Sequence, residues 1–219
     1  MDLSLENVLI ETVDGRKLIE TDRFSFGSGL VALTGKNGIG KSTLLRAIVG
    51  LHRPSRGRIR FDDIDNQAQR RAYLRHIAYQ PQNFAAYPNL TARKFLVYFQ
   101  RLRGFGAGEA RRSAEAWLER VGLSGDAGQR TGTFSQGMLQ RLGLAYVLQT
   151  NAPLYVLDEP FAGIDPAARA TLTDLLAEEA RSRIVLLCTH HVDEVSARGA
   201  TLVEIAEQRL HLREGLAAG

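Results

Sequence analysis

Residues 35–42 read Gly-Lys-Asn-Gly-Ile-Gly-Lys-Ser, glycines and a lysine in the spacing G-x-x-x-x-G-K-[ST]. Glycines at this spacing let the backbone turn its N–H groups inward around phosphate oxygens, and a helix that follows presents its positive end to the same charge. Gly35, Lys36, Asn37, Gly38, Ile39 and Gly40 are therefore expected to cradle a phosphate chain. Lys41 would neutralise the β- and γ-phosphates, Ser42 would offer its hydroxyl oxygen to Mg²⁺, and Thr43 would hydrogen-bond a neighbouring phosphate oxygen. Lysine is scarce, occurring only at positions 17, 36, 41 and 94, which makes Lys41 conspicuous. The plain alternative, a glycine-rich turn with an idle lysine, fits poorly with a loop set between an apolar strand and a helical segment.

A second constellation lies at Leu154-Tyr155-Val156-Leu157 followed by Asp158-Glu159-Pro160. It places two acids at the mouth of a buried strand, where α/β sheets bind ligands. Asp158 would hold Mg²⁺ through its hydration shell, and Glu159 would polarise an attacking water as base or orienter. Taken alone, an acidic turn closed by Pro160 is the competing reading.

The elements that must position these residues are legible in outline. Short apolar runs at Leu30 to Leu33, Leu154 to Leu157 and Ile184 to Cys188 lack strict alternation and read as strands buried on both faces. Helical patterns follow, from Lys41 to Val49 and from Pro166 to Ala180, so the expected core is a mostly parallel sheet wrapped by helices. Leu3 to Glu11 and Arg58 to Phe61 alternate more and predict a small N-terminal antiparallel layer. Between Asn83 and Gln149 strand signals give way to helical stretches at Thr91 to Arg103, Glu109 to Val121 and Ser135 to Gln149. The predicted organisation is a single α/β domain over 1–219, with 1–82 and 150–219 forming the nucleotide-binding core and 83–149 an inserted helical lobe.

Composition narrows the class. A chain of 219 residues has room for one sizeable core with a small lobe. The net charge of +4 comes mainly from arginine, and the cluster at Arg53, Arg56, Arg58 and Arg60 reads as a solvated strand face. Cys188 is the only cysteine, so an intrachain disulfide is excluded. It also sits too close in sequence to His190 and His191 for all three to converge on one ion. No apolar run approaches the ~20 residues that cross a bilayer, and the N-terminus does not have the form of a secretory signal.

With Phe134-Ser135-Gln136-Gly137-Met138 added, the chain resembles the nucleotide-binding domain of the ABC ATPases over nearly its whole length. The family's signature usually reads L-S-G-G-Q, so the serine and second glycine are kept and Gln136 replaces the first glycine. The resemblance implies a P-loop NTPase fold, ATP and Mg²⁺ as cofactors, and ATP hydrolysis. It implies that Ser135 and Gly137 bind the γ-phosphate held by another subunit's phosphate loop; Ser135 is also a plain N-cap. Ala78-Tyr79-Gln80-Pro81-Gln82 resembles the family's glutamine loop, with Gln82 the better match than Gln80 for contact with Mg²⁺ or the attacking water. Gly163-Ile164-Asp165-Pro166 resembles its D-loop, although Asp165 before Pro166 is equally an ordinary helix start. Cys188-Thr189-His190-His191 resembles the switch region, with His190 the matching histidine and His191 its rival. The family usually carries an adenine-stacking aromatic near Thr12 or Val13; here Phe24 is the first aromatic.

Carried further, the resemblance implies an engine: two chains, identical or not, close head to tail on two ATP molecules, and the motion passes to a separate transmembrane permease subunit docked on the helical lobe. The implied location is cytoplasmic, peripheral on the inner face of the cell membrane through that partner, with no direct membrane insertion. The segment from Asn83 to Arg103 is most similar to subunits of ABC-2 exporters. The competing class is a soluble ABC ATPase acting on nucleic acid or ribosomes. It ranks below transport because such relatives commonly need tandem ATPase domains or long coiled-coil insertions, and no nucleic acid partner is expected.

Overall fold

In the computed structural model, which describes residues 1–213, the apolar runs become neighbouring strands of one six-stranded sheet. These are β3 (Gly29–Thr34), β8 (Ile184–Cys188) and β7 (Leu154–Asp158), flanked by β9 (Thr201–Ala206) and β10 (Arg209–Arg213) on one side and β6 (Ile77–Gln80) on the other. The order is β10-β9-β3-β8-β7-β6. β3 pairs parallel with both β8 and β9, β7 pairs parallel with β8, and only the β9–β10 hairpin is antiparallel among these pairings. Every residue of β7 and β8 is buried, which is why their sequences run apolar without alternation. Leu33 and Asp158 both lie opposite Cys188, so the C-terminal ends of β3, β8 and β7 are level.

An antiparallel sheet ordered β2-β1-β4-β5 covers the N-terminal part, from β1 (Asp2–Glu11), β2 (Lys17–Gly27), β4 (Arg56–Phe61) and β5 (Ile64–Asp65). In β4 the exposed Arg58 precedes buried Ile59, Arg60 reaches Glu6 at 3.9 Å, and Phe61 is buried, the alternation of a strand with one wet face. Helix α1 (Lys41–Ile48) buries Leu44, Leu45, Ala47 and Ile48 in a core shared with Leu5 and Ile59 of one sheet and Val156 and Leu186 of the other. The short helices α2 (Arg70–Tyr73) and α7 (Val192–Ser196) complete this part, and the Tyr73 hydroxyl donates to the Ile48 carbonyl at 2.8 Å. This is the α/β architecture with a small antiparallel layer that the sequence predicts.

The chain divides into two compact units, the first comprising Met1–Tyr79, Ala152–Asp158 and the described residues from Leu176 onward. The second comprises Gln80–Asn151 and Glu159–Leu175. It holds α3 (Ala92–Leu102), α4 (Ala107–Arg120) and α5 (Gln136–Leu148), and α6 (Pro166–Ala180) starts within it. Thr91 caps α3 by accepting from the Lys94 N–H, and Ser135 caps α5 by accepting from the Met138 N–H at 3.3 Å. The Gln100 amide nitrogen donates to Ser113 Oγ and to the Gln149 carbonyl, each at 3.0 Å, tying α3 to α4 and to the end of α5. Residues 159–175 group with this unit, whereas the sequence assigned them to the nucleotide-binding core. The physical reason is the close backbone approach of Gly163 to Gly137. Residues 214–219 of the expected core segment lie outside the described residues.

Candidate functional site

The segment from Gly35 to Gly40 leaves the end of β3 and enters α1, and its glycines answer to both conformation and space. Gly35 has φ 134°, and a Cβ there would stand 2.7 Å from the Ile205 carbonyl oxygen. Gly40, at φ 116°, occupies the N-cap of α1, and a Cβ there would press on Leu18 at 3.2 Å. Both angles are ones that side chains other than glycine rarely adopt. No side chain caps α1 and its first turn holds no acid, so the N–H groups there keep their capacity for an anion. The Lys41 ammonium arches back over the loop, donating to the Gly35 carbonyl at 2.8 Å and the Lys36 carbonyl at 3.1 Å. Ile39 N–H donates to the Lys36 carbonyl at 3.3 Å, closing the turn on which Asn37 and Gly38 stand exposed.

From α1, the Ser42 hydroxyl donates to Asp158 Oδ1 at 3.0 Å, although 116 residues separate them. Asp158 is only 3% exposed at the end of β7. Burial holds its carboxyl above the usual carboxylate range, against the opposing pull of the Ser42 hydroxyl, the Lys41 ammonium and the Arg46 guanidinium. The same pocket raises the Tyr79 phenol to about 12, through burial first and the Asp158 charge second. Just past the end of β8, one strand over, Thr189 is buried and its Oγ1 accepts from the His191 N–H at 3.1 Å. His190 is exposed, while His191 is half-buried and stands at the N-cap of α7. The first unit therefore brings the phosphate-loop residues, Ser42, Thr43, Asp158 and His190 to the C-terminal ends of three adjacent strands. Loops beyond that edge are where parallel sheets take ligands.

These groups suit a Mg²⁺–nucleotide pair. A buried carboxylate held above its usual range gains from a cation, and a hydroxyl already lies against it. Among the described residues no group of three or more His, Cys, Asp and Glu side chains is placed to hold a metal by itself. Mg²⁺ at this place would be held by Ser42 and Asp158 and would offset phosphate charge.

The second unit carries the other predicted residues. Glu159 follows Asp158 in a left-handed conformation at φ 48°, and its carbonyl accepts from the Ala162 N–H at 3.2 Å. Such a conformation in a residue other than glycine costs about 1–3 kcal/mol and is held by its surroundings. Ser135 and Gln136 are exposed at the start of α5, while Gly137 is buried against the backbone of Gly163. Asp165 caps α6 by accepting from the Ala168 N–H at 3.0 Å; that bond is the main reason its carboxyl is held below the usual range. Gln82 is exposed, and its carbonyl accepts from the Gln140 amide at 2.6 Å. Gln80, its rival in the sequence, is fully buried.

Sequence reasoning passed over two members of this constellation. Arg46 bears on Asp158 from one turn beyond Ser42, and its i, i+4 spacing was the available signal. Gln140 left no local signal, since its partners lie 58 and 60 residues away.

The ABC transporter family model matches residues 23–162. The cytochrome c biogenesis ATP-binding export protein CcmA of Haemophilus influenzae is 36% identical over 193 residues, covering 86% of this chain and 88% of that protein. The human retinal-specific phospholipid-transporting ATPase ABCA4 is 30% identical over 198 residues, which is 90% of this chain and 9% of the relative, so the chain spans a small part of that protein. Among solved structures, an ATP binding subunit of an ABC transporter superposes with a TM-score of 0.87 at 27% identity, over 99% of this chain and 90% of that one. The chain belongs to the ABC transporter family. Relatives within that family are named as ATP-binding proteins and ATPases.

Proposed function

We propose that this chain is the ATPase subunit that powers a separate transmembrane partner, through head-to-tail pairing of two such subunits around ATP. The observation that carries the reading is the Ser42–Asp158 pair at 3.0 Å, beside Lys41 and the uncapped start of α1. Bound Mg²⁺–ATP supplies the transferable γ-phosphoryl group and a cation that offsets charge on its oxygens. Loop N–H groups from Lys36 to Thr43 orient the phosphates, and Lys41 exchanges its two loop carbonyls for β- and γ-phosphate oxygens. Ser42 and Asp158 would hold the cation, and family resemblance would give Gln82 contact with it or with the attacking water. Glu159 takes the proton of that water, and His190 bonds the γ-phosphate and fixes Glu159. Ser135 and Gly137 serve the partner subunit's nucleotide, the exposed cap of α5 turning its N-terminus outward.

The transport part rests on relatives named for export and phospholipid transport, and on a surface of the second unit. There Phe84, Tyr87, Phe95, Tyr98, Phe99 and Tyr146 form one aromatic cluster, with Tyr87 and Tyr98 about half exposed. A rigid, partly exposed aromatic face fits an apolar helix of a partner. No helix among the described residues is long and apolar enough to cross a membrane, so in this reading the chain lies on the inner face of the membrane through its permease, of the ABC-2 exporter kind.

Glu159→Gln tests the catalytic half: it should lower turnover by ~10³-fold or more while ATP drives the chain to a stable dimer in sedimentation. Turnover at the wild-type rate would remove Glu159 from its role. Copurification with a membrane protein from detergent extracts supports the transport half, and salt-sensitive DNA binding in its place would favour the soluble class.

A further inference from the structure

The described structure holds a buried glutamine network in the second unit that the nucleotide chemistry does not use. Gln80 is 0% exposed and Gln140 2% exposed. The Gln80 amide nitrogen donates to both the side-chain oxygen and the main-chain carbonyl of Gln140, the latter at 3.1 Å. The Gln140 amide nitrogen in turn donates to the main-chain carbonyl of Gln82 at 2.6 Å. Gly143, one turn further along α5, makes room: a Cβ there would stand 2.8 Å from the Gln80 amide nitrogen and 2.9 Å from the Phe84 ring. The Gln80 side-chain oxygen is buried without a hydrogen-bond partner. Burying two amides and leaving one acceptor unmet is a poor arrangement for stability alone, because apolar side chains of the same size would fill the space without that penalty.

We infer that Gln140 is a positioning residue: it clamps the main chain at Gln82 to helix α5, so that a displacement of the Gln82 loop moves the α5 N-terminus carrying Ser135 and Gly137. Gln140 lies on the helix that Ser135 caps, five residues on from that cap, and a helix transmits displacement along its axis with little loss. In a chain whose Gln82 reaches the cation or the attacking water, the clamp links one subunit's nucleotide to the surface offered to its partner's nucleotide. The inference rests on the function proposed above for Gln82 and Ser135.

Two variants of the full chain test it. In Gln140→Met the Gln82 carbonyl loses its donor, so kcat should fall about tenfold with the KM for ATP changed by less than about twofold. A folded variant with wild-type kcat would overturn the clamp. Should that variant fail to fold, Gln80→Met with Gln140→Met decides: replacing both amides by apolar groups should leave the melting temperature within about 2 °C of the wild type while kcat stays about tenfold low. If stability and kcat both return together, the network serves packing only and the clamp is wrong. A wild-type chain with no ATPase activity would sink the reading of Gln82 instead. Melting temperatures of the two single variants and the double would then judge the network without nucleotide, and additive losses would overturn it.

Discussion

Substituting Gly137 by alanine separates two reasons for a glycine at the start of α5. One is close approach to a partner's nucleotide; the other is packing inside the chain. A Cβ on Gly137 would stand 2.3 Å from the Gly163 carbonyl oxygen and 3.0 Å from its carbon. Ordinary contact between a methyl carbon and a carbonyl oxygen needs about 3.2 Å, so α5 and the Gly163 turn must part by about 0.9 Å. Both neighbours are backbone, and Gly163 is itself held at φ 71° in a turn closed by the Ile164 N–H to the Phe161 carbonyl at 3.1 Å. Neither yields as the tip of a side chain does. Overpacking of this kind costs about 1–3 kcal/mol, which for a chain of this size lowers the melting temperature by about 3–10 °C. A shift of about 1 Å at Ser135 would also reduce kcat by about 100-fold. The assay is thermal unfolding without nucleotide, alongside steady-state ATP hydrolysis, with Gln136→Ala as the exposed control, expected within about 0.5 kcal/mol of the wild type. A Gly137→Ala chain that melts with the wild type in the absence of nucleotide, yet loses activity, would refute the packing argument and leave phosphate approach as the whole reason.

Asp158→Asn should abolish most turnover and yet stabilise the nucleotide-free protein as pH rises. Burial holds the folded carboxyl above its unfolded value, so its contribution to stability is fully present below the unfolded value and lost as pH climbs through the folded one. The amide escapes that loss and its oxygen still accepts from Ser42; a melting-temperature difference between variant and wild type that is flat or falls as pH rises from below the ordinary carboxylate value of 3.8 upward would contradict the burial argument. At the β1–β2 turn Val13 is fully exposed, and the first aromatic in the sequence is Phe24. Val13→Tyr should therefore raise ATP affinity by up to about tenfold, and the wild type should bind ATP and GTP more evenly than relatives that carry the aromatic. Titration of both nucleotides against wild type and variant checks this, and strong ATP selectivity in the wild type would count against it.

Much of this protein is local and was open to reading in its sequence. β3, β7 and β8 announce themselves because strands covered on both faces have no reason to alternate. The helices α3, α4 and α5 show in their spacing and in the cap at Ser135. The phosphate loop is local too, since the conformations of Gly35 and Gly40 and the arch of Lys41 involve residues within a single turn. Strands β2, β6, β9 and β10 were not legible. Their sequences mix charge and apolarity, and each becomes a strand through the neighbour it pairs with. Tertiary structure alone decided that Ser42 meets Asp158, that Gly163 takes the 159–175 segment to α5, and that Gln140 holds Gln82. The physical reason is the same in each case: a hydrogen bond or steric contact acts over about 3 Å in space, whatever the distance along the chain, and leaves no period or composition for a sequence to display. Sequence by itself determined which groups this chain could offer, a glycine-rich loop ending in Lys41, an acid closing an apolar strand and a serine at a helix start, because those depend on residue type and short-range spacing. Which glutamine is buried and which exposed, and which histidine faces solvent, waited on the fold, because burial belongs to the packed molecule.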